Sequence, residues 1–176
     1  MNKQSSTKRL CRAGVISALY VALTYAFMPF AFGPFQIRPA EALCILPLFF
    51  VEAIPALTVG CALSNLTSPY AFFDILFGST ATLLSALGSY LVGWFFKKDG
   101  VKLGLGGIFP VLLNAIIIPF VIVFLCGGAD GYESVKVAYF TFFGSIFLTQ
   151  CLWVYGFGTP LYFGVKRLRA RSPLFS

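Results

Sequence analysis

The chain contains no histidine. That removes the side chain most often used as a general base near neutral pH and most often recruited to a metal. Charge is scarce as well. Only 11% of the 176 residues are Asp, Glu, Lys or Arg, against about 25% in an ordinary soluble domain. Acid is the rarer sign, with six residues in all. The five cysteines, Cys11, Cys44, Cys61, Cys126 and Cys151, are scattered with no CxxC spacing. They read as small buried hydrophobes rather than as a metal site or a disulfide framework. No GxSxG with partners, Walker motif or metal cluster is present, so no catalytic set is visible and the chain cannot itself harvest ATP. It reads as a non-enzyme that binds no cofactor of its own, although a carboxylate pair alone could in principle serve acid–base chemistry.

What the chain does have is apolar surface. Hydrophobic residues make up 59% of it, and its mean hydropathy is +0.87. Apolar runs of about 20 residues separated by short polar breaks are the pattern of transmembrane helices. The alternating ten-residue segments of a membrane barrel are absent. The expectation is an all-α integral membrane protein, with residues 1–176 forming one transmembrane domain. The net charge of +7 does not point to nucleic acid, because of where it sits. Lys3, Lys8, Arg9 and Arg12 mark one end, and Lys166, Arg167, Arg169 and Arg171 the other. Lys97, Lys98 and Lys102 fall in one break. Cations flanking apolar spans set topology.

Four runs are long enough to cross: 10–31, 72–96, 103–126 and 137–165. The first begins after basic residues, but it is long for a signal peptide and further spans follow it. Gly33, Pro34 and Pro39 predict a non-helical loop over 32–39. Residues 41–66 hold Pro47, Glu52 and Pro55. With both termini basic, both should be cytoplasmic, which needs an even number of crossings. The proline-rich stretch must then go there and back as 41–51 and 53–66, breaking near Val51–Glu52. Pro55 would stand in a first helical turn, where proline is tolerated. The resulting six-span bundle places Lys97, Lys98 and Lys102 inside, and Asp130 and Glu133 outside.

In that arrangement Arg38, Glu41, Asn65 and Asp74 collect at the external edge from three chain segments. Asn114 and Gln150 lie near the midplane of the last two spans. Polar groups inside a bilayer are costly and mark functional sites by default. Together the six could line a pocket for a small polar ligand on an apolar wall. The plainer reading is an Arg38–Glu41 ion pair, helix N-capping by Asp74 and interhelical hydrogen bonds from the amides. Glu52, near a cytoplasmic helix start, reads as a dipole partner. Tyr70, Phe72 and Phe73 suit either interface anchoring or stacking on a flat ring. A second pattern lies in the first span, where Gly14, Ala18, Ala22 and Ala26 recur every four residues. Such a low, smooth face lets a second helix come close, either within the same bundle or on a partner subunit.

The opening RLCRAGVISALYVALTYA, the segment FGPFQIRPAEALCILPLFFVEAIPALTVGCALSNL and the following FDILFGSTATLLSAL resemble the QueT family. The similarity is good over roughly residues 8–95 and looser beyond. The resemblance implies a substrate-binding S component of an energy-coupling factor (ECF) transporter in the bacterial cell membrane. It implies six helices with both termini inside, and capture of a 7-deazaguanine queuosine precursor or queuine. The implied partners are a transmembrane coupling subunit and two ATPase subunits, which use the ATP. Ala18 and Ala22 match the AxxxA docking motif of such components, extended here by Gly14 and Ala26. An S component for another vitamin, a scaffold protein, a small membrane enzyme and a self-contained secondary transporter stand as alternatives.

Overall fold

A computed structural model of the chain describes residues 3–32 and 36–171. Among the described residues every regular element is helical. The first helix, α1 (Lys3–Ala26), ends shortly before Pro29, and a single further turn, Met28–Ala31, carries that proline at its start. Proline lacks the N–H that would continue the ladder, so the break falls where the sequence demands it.

The proline-rich stretch divides in two. Pro39–Leu48 is a 3-10 helix, and α2 (Ala53–Ser64) follows after the link 49–52. Pro39 was expected in a loop but is the first helical residue. Its fixed φ is preorganised for a helix start, and the N–H it lacks would be unpaired there anyway. Residues 33–35 of that expected loop lie outside the described residues. Ten residues of 3-10 geometry is long for this form. With a rise of about 2.0 Å per residue it reaches about 20 Å, where an α-helix of the same length would reach about 15 Å.

Three longer helices complete the chain: α3 (Ala71–Phe95), α4 (Asp99–Leu125) and α5 (Val135–Arg171). Each is long and apolar enough to cross a membrane. Each contains one widened π-helical stretch, at Asp74–Gly78, Val121–Leu125 and Leu152–Phe157. Pro119 and Pro160, which remove ladder hydrogen bonds, stand within a turn of the last two.

Contacts fix which ends meet. At one end Arg12 of α1 pairs with Glu52 at 2.9 Å. Arg169 of α5 donates to the Phe49 carbonyl at 3.4 Å, and Asp99 at the start of α4 accepts from Tyr162 at 2.8 Å and from Lys166. At the other end Tyr25 donates to the Leu63 carbonyl at 3.3 Å. There Met28, Pro29, Phe32, Thr67 and Pro69 surround one hollow. Successive segments therefore run alternately up and down.

The packing is apolar outside and polar within. Leu10, Trp94, Phe95, Phe140 and Leu148 are largely exposed, whereas Thr24, Ser64, Asn65, Ser85 and Ser89 are fully buried. Ser89 donates to the Gly106 carbonyl at 2.7 Å and ties α3 to α4, a small-polar contact typical of helices packed in lipid. Gly93 lets α3 approach the end of the 3-10 helix: a Cβ there would lie 2.7 Å from the Leu48 carbonyl oxygen. This is the surface of a helical membrane protein, which must satisfy its polar groups internally.

Candidate functional site

Glu41 is the third residue of the 3-10 helix and is 3% exposed. Its Oε1 accepts from the hydroxyl of Tyr20 on α1 at 2.6 Å. Its Oε2 accepts from the Cys44 thiol and from Asn114 Nδ2 on α4, each at 3.3 Å. Cys44 can reach because side chains three residues apart eclipse in 3-10 geometry. All three donors are neutral.

Asp74 is 6% exposed and opens the π stretch of α3. It is not the N-cap, since α3 begins at Ala71 and no side-chain cap bond is made at Tyr70. The Ser68 hydroxyl donates to its Oδ2, while Ser68 Oγ accepts from the Tyr70 N–H at 3.1 Å. Asn65, the C-cap residue just after α2, donates through Nδ2 to the Asp74 backbone carbonyl at 2.7 Å. It can do so because residue 78 is glycine: a Cβ there would sit 2.8 Å from that nitrogen. Asn65 also stands 3.5 Å from the Cys61 sulfur, and Cys61 packs in the same buried cluster as Tyr20 and Cys44.

Glu41 and Asn114 are thus brought into direct contact, as are Asn65 and Asp74. Arg38 is buried, but Nε donates to the Ala31 carbonyl at 2.9 Å and the guanidinium lies 4.8 Å from the Phe32 ring centre. The plainer expectation of an Arg38–Glu41 ion pair does not hold: among the described residues the ion pairs are Arg12–Glu52 and Lys166–Asp99. Neither Glu41 nor Asp74 has a cationic partner there. Gln150 is buried on α5 with Oε1 unpaired, and Asn65 Oδ1, Ser79 Oγ and Trp153 Nε1 are buried and unpaired too. Glu52 stands at the N-cap position of α2 and pairs with Arg12.

On α1, Gly14, Ala18 and Ala22 are exposed and line an open groove of about 720 Å³ with Pro55, Ala56 and Val59 of α2. Ala26 is exposed one turn further on, beyond that lining. The small-residue face therefore looks outward instead of packing in its own bundle.

Tyr20, Cys44, Ser68 and Trp153 were not among the residues singled out from sequence. A signal for Tyr20 existed. Ile16, Tyr20 and Thr24 are buried and sit two residues out of phase with Gly14, Ala18 and Ala22. Two residues are about 200° around a helix, so an outward small face implies an inward tyrosine. Ser68 and Cys44 gave no signal, because hydroxyls and thiols are common along apolar helices.

A helical membrane protein with a buried, acid-centred polar cluster belongs to the class that handles small polar molecules within the bilayer. The chain belongs to the QueT transporter family, which matches residues 10–167. Among curated proteins, the "Queuosine precursor transporter QueT" of Lactococcus lactis subsp. cremoris (strain MG1363) is 32% identical over 99 residues, which is 55% of this chain and 58% of that protein. The similarity therefore spans little more than half the length of that relative. No solved structure matches the chain.

Proposed function

We propose that the chain is the substrate-binding S component of an ECF transporter in the bacterial cell membrane, taking a 7-deazaguanine queuosine precursor or queuine from the external face. It spans the bilayer six times with both termini cytoplasmic. It performs no catalysis and binds no cofactor, and import is driven by ATP on two ATPase subunits joined through a transmembrane coupling subunit. The small-residue face of Gly14, Ala18, Ala22 and Ala26 is where that coupling subunit docks.

One observation carries this reading. Two carboxylates, Glu41 and Asp74, are buried in an apolar bundle with neutral hydrogen-bond donors and, among the described residues, neither makes an ion pair. A buried charge without a partner is expensive. A ligand that brings its own cation and N–H groups removes that cost. An aminomethyl-deazaguanine has both: an ammonium for one carboxylate, and a ring edge of N–H donors that the other can accept bidentately. The unpaired oxygens of Asn65 and Gln150 accept further N–H groups, and Arg38 or Asn114 donates to the ring carbonyl. Related names support the substrate class, since the Lactococcus relative is named for a queuosine precursor.

The test is a calorimetric titration of the purified protein, alone and with its coupling and ATPase subunits, against deazaguanines and a panel of unrelated vitamins. Saturable binding of a deazaguanine is expected, strongest for the aminomethyl form. Binding of another vitamin in its place would reassign the substrate. No deazaguanine binding in either preparation would overturn the proposal.

A further inference from the structure

The other side of α1 carries a second feature. A furrow of about 420 Å³ runs between α1, the 3-10 helix and α5. Its walls include Val15 and Leu19 of α1, Leu43 and Leu46 of the 3-10 helix, and Leu161 and Val165 of α5. On α1 the lining extends from Cys11 to Leu19, a length of about 12 Å. Its mouth is different in kind. Arg12 lines it, with its guanidinium 4.6 Å from the centre of the Phe50 ring. The Arg169 guanidinium lies 5.5 Å from the centre of the same ring, so two cations gather around one aromatic side chain at this end of the furrow. Arg12 Nη1 is buried with no hydrogen-bond partner. Glu52 pairs with Arg12 through its Nε edge at 2.9 Å, and the other acid at this end, Asp99, is taken up by Lys166. Lys8, Arg9, Arg167 and Arg171 are exposed on neighbouring turns of the two helices.

We infer that this furrow is a binding site for one anionic phospholipid: an acyl chain lies along the walls, and the phosphate bridges Arg12 and Arg169 at the mouth. The charge balance selects the headgroup, because two guanidiniums face one carboxylate and a monoanionic phosphodiester completes the set. A zwitterionic headgroup would bring its own cation against the same arginines. The furrow also suits a chain better than a protein helix. Close helix approach needs small residues, which α1 offers on its Gly14–Ala18–Ala22 side. Here it offers Val15 and Leu19, between which a thin, flexible chain can settle. The inference does not depend on what the transporter carries.

The test uses the full-length protein in neutral detergent, followed by native mass spectrometry and thermal unfolding with added lipid. One equivalent of dioleoyl-phosphatidylglycerol should be retained in preference to dioleoyl-phosphatidylcholine and should raise the unfolding temperature. Inorganic phosphate or glycerol phosphate should do neither, because the chain supplies the rest of the binding. Arg169→Gln, at an exposed position, should lower phosphatidylglycerol affinity about fivefold, as expected for one cation at a membrane surface. Val15→Trp should fill the furrow and abolish retention of either lipid. Equal retention of both lipids, the same stabilisation by phosphate alone, or undiminished phosphatidylglycerol binding by both variants would each overturn the site.

Discussion

Glu41 concentrates the physics of the proposed site in one side chain. Its two oxygens are held by a tyrosine, a thiol and an amide from three separate segments, so its position is fixed before any ligand arrives. Hydrogen bonds to a charged group contribute about 1.5–3 kcal/mol, or roughly 10- to 100-fold in affinity. Glu41→Gln and Asp74→Asn are each expected to weaken deazaguanine binding by that factor in calorimetry. Wild-type affinity in both would mean that the ligand sits elsewhere. Tyr20→Phe removes only the donor to Oε1 and keeps the ring in its fully buried place. It should cost about 1–3 kcal/mol of stability, because a buried acceptor loses its partner, with a smaller loss of ligand affinity than Glu41→Gln. At this scale the sequence was readable wherever a residue was chemically out of place. A carboxylate or amide in an apolar run announces itself, and the contact between Glu41 and Asn114 spans 73 positions. The hydroxyl and thiol donors did not stand out by chemistry: Tyr20 was legible only from its register against the small-residue face, and Cys44 and Ser68 were not legible at all.

Helix geometry explains how a short segment reaches the site. The 3-10 form draws ten residues out to about the length of a thirteen-residue α-helix, and it presents Glu41 and Cys44 on one line. Its far end is pinned by α3, where a Cβ on residue 93 would lie 2.7 Å from the Leu48 oxygen and 2.9 Å from its Cα. Backbone cannot swing aside as a side-chain tip can. Gly93→Val should therefore lower stability by about 1–3 kcal/mol, the usual cost of overpacking, seen as a lower unfolding temperature in detergent. The groove on α1 allows a separate test. Ala18 is exposed and stands apart from the carboxylates. Ala18→Leu should leave deazaguanine titration unchanged and block co-purification of the coupling subunit. Retained assembly would remove α1 from the docking surface. That the middle stretch is broken was legible from Pro47, Glu52 and Pro55. That its first half is 3-10 was not, because apolar periodicity over ten residues does not separate the two helical forms.

For the whole molecule, the decisive question is which side of the membrane each end occupies. The basic clusters at the two termini were visible in the sequence, but charge alone says only that both prefer the cytoplasmic side. The structure adds a physical tie. Arg12, less than two turns after Ser6, and Arg169, near the end of α5, lie 4.6 and 5.5 Å from the centre of the Phe50 ring. An odd number of crossings would pull them to opposite faces and break both contacts. The link 126–134, with Asp130 and Glu133, belongs to the opposite end, since α4 leads away from Asp99 and its clamp with Lys166. Membrane-impermeant thiol labelling of intact cells can read this directly, in a background with Cys11, Cys126 and Cys151 replaced by serine, which removes the exposed and half-buried native thiols. Ser6→Cys and Ala170→Cys should stay unlabelled until the membrane is opened, and Asp130→Cys should label at once. All three positions are exposed, so protection of the first two would reflect the membrane and not burial. Labelling of one terminus alone from outside would break the even count, and labelling of both would invert the orientation. The proposed capture of substrate from the external face would fall with it.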